Sequence, residues 1–184
     1  MLFRSITRKG ILSTLHSLLD PLGFVSPITI QGKALMKEIS TAEHDWDTPL
    51  PKEKEIQWNA WRDSLAELLQ HQMQRTYVPV SLLTIVHREI CIFSDASTLA
   101  ISAVAYLRVA DTEGQSHVGF IIGKAKLAPR PAHTVPRLEL FAAVLATEMA
   151  DLIIEEIDVE IHAVKFYTDS KIVLGYIYNT SMNF

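Results

Sequence analysis

Apolar positions along this chain follow two different rhythms, and the change falls near residue 80. Before it, apolar residues recur at helical spacing: Ile11, Leu15, Leu18 and Leu19 in one segment, then Ala34, Leu35 and Ile39 in another. The intervening "DPLGFVSP" holds two prolines and a glycine, so it ends the first helix and restarts a second after Ser26. From Lys52 to about His71, Ile56, Trp61, Leu65, Leu68 and Leu69 form an approximate stripe and predict a third helix after Pro51, entered through the loop "EHDWDTPLP".

Beyond residue 80 the rhythm becomes that of strands. "REICIFSD" reads as a short buried strand and "AISAVAYLRVA" as a second, rich in β-branched and aromatic residues. The turn "DTEG" leads into "HVGFIIGKAKLA", which makes the second and third strands a hairpin. "TVPRLELFAAVLATEMADLIIEEI" carries Leu138, Phe141, Val144, Leu145, Met149, Leu152 and Ile153 at helical spacing, with Pro136 suited to its first turn. "AVKFYTDSKIVLGYIYN" then reads as a fourth strand running into a helix at about Ser170. The order β-β-β-α-β-α implies a mixed sheet whose fourth strand lies parallel to the first, because the long helix supplies the crossover. Two strands so placed end on the same edge, and they end near Asp95 and Asp169. The expected organisation is a helical segment over 1–79 and an α+β (or α/β) domain over 80–184.

Composition narrows the class. The 184 residues are 48% hydrophobic and 21% charged, with 7 Gly and 8 Pro, as expected of a folded chain rather than a disordered one. No apolar run approaches the roughly 18 residues of a membrane span, and "MLFRSITRKG" lacks the apolar core of a signal peptide, so no membrane partner is expected. One cysteine, Cys91, excludes an internal disulfide and points to a reducing compartment. The net charge of -4 argues against binding nucleic acid through the overall field. A local basic tract still stands out. Gly123 to Arg137, "GKAKLAPRPAHTVPR", holds Lys124, Lys126, Arg130 and Arg137 without an acid and reads as a basic loop, ordinary on a surface when taken alone.

Three acids sit among apolar or small residues: Asp95 in "FSDAS", Glu139 in the first turn of the long helix, and Asp169 in "FYTDSK". Each has an ordinary explanation: a turn for Asp95, the helix dipole for Glu139, a helix cap for Asp169. Converging at one edge, they would repel unless a divalent cation neutralised them, and hard carboxylate oxygens suit magnesium. Two such ions, roughly 4 Å apart, serve phosphodiester displacement by activating water and stabilising the leaving oxygen. Ser97, Ser170 and Lys171 flank the acids and would add donors for backbone phosphates.

"FSDAS", "TVPRLELFAA" and "FYTDSKIVLGYI", in this order, resemble the ribonuclease H domain of BEL/Pao-type LTR retrotransposon polyproteins. "LLDPLGFVSPITIQGKALMKEI" and the tryptophans after it are similar to the segment that follows the reverse transcriptase palm there, so the resemblance covers nearly the whole chain. It implies a ribonuclease H-like mixed sheet behind a small helical, thumb- or connection-like subdomain, cutting the RNA strand of an RNA:DNA hybrid by shape and 2′-hydroxyls. It implies that Asp95 bridges two magnesium ions, with manganese as a substitute, and that Glu139 and Asp169 hold the leaving-group ion. Ser97 and Ser170 would lie beside the substrate backbone. The reverse transcriptase palm and integrase portions of the parent polyprotein, inside a cytoplasmic particle, would be its partners. The family's domain continues into a further strand, helix and fourth carboxylate, and no acid follows Asp169 here, so weak or absent cleavage by this chain is expected, with residual magnesium binding.

Two other readings compete. A non-catalytic nucleic-acid-binding or connecting module would use the helical part and the basic tract to clamp a hybrid. A peptidase label also travels with such regions, but an aspartic peptidase needs an Asp-Thr/Ser-Gly turn, and neither Asp95-Ala96-Ser97 nor Asp169-Ser170-Lys171 has the glycine. The seven histidines show no helical metal pair, which disfavours zinc, and Trp46, Trp58 and Trp61 are expected to pack helices.

Overall fold

A computed structural model describes residues 6–40, 45–70, 76–78 and 84–179. The chain forms two compact units, residues 1–73 and 74–184.

The first unit holds three helices, α1 (Arg8–His16), α2 (Ser26–Ile39) and α3 (Lys52–Ser64), followed by a short 3-10 helix, Glu67–Gln70. Thr7 starts α1, its hydroxyl oxygen accepting the Gly10 N–H at 3.1 Å. The helix stops at His16, short of Leu18 and Leu19. The Ser17 hydroxyl bonds back to the Thr14 carbonyl, Asp20 accepts the Val25 N–H, and Gly23 turns the chain with a φ of 71°. Leu19, expected on the helical stripe, is therefore exposed.

The stripe expected on α3 is also corrected. The buried residues are Trp58 and Trp61, while Ile56 is exposed. Positions 58, 61 and 65 share a helical face, whereas residue 56 lies about 200° around the axis from 58. The helix ends at Ser64, well before the expected end at His71, and His71 lies outside the described residues, as does the Leu69 side chain. Ile11, Leu35, Met36, Ile39, Leu50 and the two tryptophans make this unit's core.

The second unit is a four-stranded sheet with two helices: β1 (Ile85–Ala96), β2 (Ala100–Asp111), β3 (Ser116–Leu127), α4 (Val135–Glu156), β4 (Ala163–Tyr167) and α5 (Lys171–Tyr178). The strand order is β3-β2-β1-β4. β1, β2 and β3 form an antiparallel meander, and β4 lies parallel to β1 after the α4 crossover. The β2–β3 turn is closed by Asp111, whose carboxylate accepts the Glu113 and Gln115 N–H groups, and by Gly114 at φ 79°.

Strand alternation gives the sheet two unlike faces. Ile90, Ile92, Ala103, Ala105, Leu107 and Val109 are buried in one core with Leu138, Ala142, Leu145, Ala146, Met149 and Ile153 of α4. Val78, assigned by the sequence pattern to the first part, belongs to this core. The other face carries a row of rings across all four strands: Tyr167 stacks on Phe93 at 4.6 Å between centroids, and Phe93 meets Tyr106, and Tyr106 meets Phe120, edge-on at 6.1 and 6.0 Å. On the same face Glu89, buried between strands, accepts hydrogen bonds from Lys165 of β4 at 2.8 Å and Arg108 of β2 at 2.9 Å, and pairs with His87 at 3.1 Å. These partners, Lys165 first, hold its carboxyl down to about 2. β2, β1 and β4 are thereby tied by charge as well as by backbone.

Candidate active site

The register of β1 and β4 sets the geometry of the acids. The parallel pairing ends with Phe93 opposite Tyr167, and Asp95 and Asp169 each lie two residues further on. Equal offsets from a paired position bring both to the same end of two adjacent strands. Asp95 is still within β1, opposite Ser102 of β2, and its Oδ1 accepts the Ala96 N–H at 2.7 Å. It is exposed on the face that carries Phe93. Asp169 is exposed in the short link between β4 and α5.

Glu139 reaches this end from the helix. It is the fifth residue of α4, one past the first turn where the sequence placed it. Its Oε2 accepts the Ser170 hydroxyl at 2.5 Å, across 31 residues of sequence. Ser170 directly follows Asp169, so Glu139 is fastened beside it. The cap of α5 is Ser170, which accepts the Val173 N–H, and not Asp169 as the ordinary reading of that acid had it.

Among the described residues no cation stands within ion-pair distance of Asp95, Glu139 or Asp169. Two other acids of this unit are paired at close range, Glu89 with Lys165 and Arg108 and Asp111 with His117 at 3.0 Å. The His117 ring and the Gln115 N–H hold the Asp111 carboxyl below its ordinary value. The three acids at the strand ends thus have no counter-ion among the described residues, and their hard oxygens are the donor type that magnesium and manganese take. As placed they do not close into a ligand set: among the described residues no three His, Cys, Asp or Glu side chains are grouped tightly enough to hold a metal ion.

The flanking residues divide. Ser97 organises the β1–β2 turn, its oxygen accepting the Leu99 and Ala100 N–H groups, both at 3.2 Å. Ser170 is buried, with its hydroxyl engaged as above. Lys171 opens α5 and is exposed. The basic tract is not one loop. Lys124 and Lys126 lie in β3, flanking Ala125, which is opposite Ser102 and hence in the transverse row of Asp95. Lys126 stands 3.9 Å from Glu148 of α4. Arg137 lies in α4 with its guanidinium 5.6 Å from the Phe141 ring centroid, and Arg130 lies in the connection between β3 and α4. The sequence reading missed the Glu89 cluster. Its signal was there: Glu89, Arg108 and Lys165 each interrupt an apolar strand.

Residues 7–170 match the Pao retrotransposon-like RNaseH-like domain. The chain belongs to that family. Its RNase H-like fold is the mixed sheet described above, α+β in class, preceded by the helical unit. No curated protein matches the chain. One similar solved structure is titled "Structure of the foamy viral protease-reverse transcriptase dRH in complex with ds DNA": 14% identity, 86% of this chain, TM-score 0.34. The chain spans 27% of the length of that one.

Proposed function

We propose that this member of the Pao RNase H-like family is the module that hydrolyses the RNA strand of an RNA:DNA hybrid by metal-assisted phosphodiester displacement. The observation that carries the reading is the matched offset of Asp95 and Asp169 at one end of paired parallel strands, with Glu139 fastened beside Asp169 through Ser170.

Asp95, Glu139 and Asp169 would hold magnesium, or manganese in its place. When bound, such ions supply activation of the attacking water and stabilisation of the departing oxygen. The chain's own contribution is to present Asp95 and Asp169 exposed at one end of paired strands, with Glu139 of α4 tied beside Asp169. Lys124 and Lys126 flank the row of Asp95 and alternate to the α4 side of the sheet, so Lys171, two residues after Asp169, is the cation placed to meet the phosphates of the duplex. In the parent element the module would work beside the reverse transcriptase palm and the integrase, within a cytoplasmic particle.

The test is divalent-ion binding followed by cleavage. Manganese binding to the purified chain, read from the free-ion signal in electron paramagnetic resonance, should weaken at least about tenfold in Asp95→Asn and again in Asp169→Asn. Any cutting of a labelled hybrid should require magnesium and vanish in Asp95→Asn. Manganese affinity unchanged in the Asp95→Asn, Asp169→Asn double variant would defeat the reading. Hybrid binding that persists in chelator with a steep salt dependence, and no cleavage under any condition, would favour a non-catalytic clamp instead.

A further inference from the structure

We propose that Ser170 is a positioning residue: it holds the Glu139 carboxylate at the strand ends, a role distinct from contact with substrate. The inference rests on the metal-binding reading above.

Ser170 is 4% exposed. A serine hydroxyl has one hydrogen to give and lone pairs to accept with. Here the oxygen accepts the Val173 N–H at 3.1 Å, and the hydrogen is given to Glu139 Oε2 at 2.5 Å. That separation is at the short end for a hydroxyl donating to a carboxylate, as a charge-assisted bond is. The main chain of Ser170 is held too: its N–H donates to Thr168 Oγ1 at 3.2 Å and its carbonyl accepts the Leu174 N–H at 3.1 Å. A side chain fixed at both ends by α5 has one direction left for its hydroxyl, and Glu139 occupies it.

The consequence concerns the site. Glu139 comes from α4 and Asp169 from the link after β4, elements that the sequence separates by 30 residues. The bond from Ser170 joins them. It occupies Oε2 of Glu139, while Oε1 accepts no hydrogen bond from the described residues. One carboxylate oxygen is anchored and the other remains for an ion, which is how a neighbouring donor orients a metal-ligating carboxylate. A phosphate contact would require the hydroxyl to leave both partners and reach solvent from a buried position.

The experiment separates positioning from capping. Ser170→Thr keeps the hydroxyl. Ser170→Gly removes it while retaining much of the N-cap preference, and Ser170→Ala removes both. Three readouts are taken on the full chain: manganese affinity, the thermal midpoint, and the carbon-13 resonance of the Glu139 side-chain carboxyl. The expected result is wild-type affinity in the threonine variant and a loss of about tenfold in the glycine variant, with its midpoint close to wild type and the Glu139 resonance displaced. Glu139→Gln should remove as much affinity, and combining it with Ser170→Gly should add nothing further.

Wild-type manganese affinity in a folded Ser170→Gly chain, or full additivity with Glu139→Gln, would overturn the proposal. If the glycine variant does not fold, the alanine variant carries the same comparison. A wild-type chain that binds no manganese would sink the metal reading instead. In that case the positioning role is judged on the Glu139 resonance alone: displaced in the glycine variant it stands, unmoved it falls.

Discussion

Replacing Gly32 with alanine sets two effects of opposite sign against each other. Gly32 is in the interior of α2, where alanine is favoured over glycine by about 1 kcal/mol from backbone propensity. An added Cβ would lie 2.5 Å from Trp61 Cζ2, 2.7 Å from Trp61 Cε2 and 2.7 Å from Leu15 Cδ2. Ordinary carbon contacts begin near 3.5 Å, so the indole or the helix must move by roughly an ångström. The ring is not free to do so. Its Nε1–H donates to the Ile28 carbonyl at 2.8 Å, and Trp58 lies with its ring centroid 4.8 Å away. Overpacking of this kind costs about 1–3 kcal/mol, and losing the indole hydrogen bond about 1 kcal/mol more. Set against the propensity gain, the net effect is a destabilisation of about 2 kcal/mol. All three tryptophans lie in the first 73 residues, so urea unfolding followed by tryptophan emission reports on this unit. The midpoint should fall and the native emission maximum should shift as Trp61 moves. A raised midpoint with unchanged emission would show that the α2–α3 approach is looser than these distances, and that glycine is there without a steric reason.

The second unit offers three further tests. Met149, fully buried between α4 and the sheet, should cost about 2–5 kcal/mol when changed to alanine, read as a lowered midpoint by near-ultraviolet circular dichroism. Glu89 has a folded-state pKa below its unfolded value, so its contribution to stability is complete above about 4.5 and is lost as pH falls through about 2; Glu89→Gln should flatten the acid side of the stability profile in that window. A variant that keeps the full wild-type slope there would place the acid sensitivity elsewhere. Asp95→Asn and Asp169→Asn should leave the midpoint in chelator unchanged or slightly raised, since each removes an acid that has no ion-pair partner among the described residues; a loss of more than about 1 kcal/mol in either would assign that acid a structural job.

What the sequence carried, and what it did not, follows from the range over which each signal acts. Strand order and the parallel β1–β4 pair were legible because chain order and crossover rules depend on element type alone, and element type is written in the local rhythm. Burial along α4 was less so. Val144 and Leu152 look like core residues and are half exposed, while Ala142, Ala146 and Ala150 are buried at intervals of four. A helix lying close on a sheet selects small side chains on its inner face, and counting large apolar residues misses that face. The same limit applies at the strand ends. That Asp95 and Asp169 share an end could be read from two strands stopping on acids, but the manner in which Glu139 joins them could not. Its partner is a serine 31 residues away whose local signature, an N-cap before "KIVLGYI", gives no hint of a second bond. Hydroxyls are legible as caps because caps are local. Their long-range donations become visible only when the fold has fixed which way the remaining hydrogen points, and in this chain that direction joins the helix acid to the strand ends.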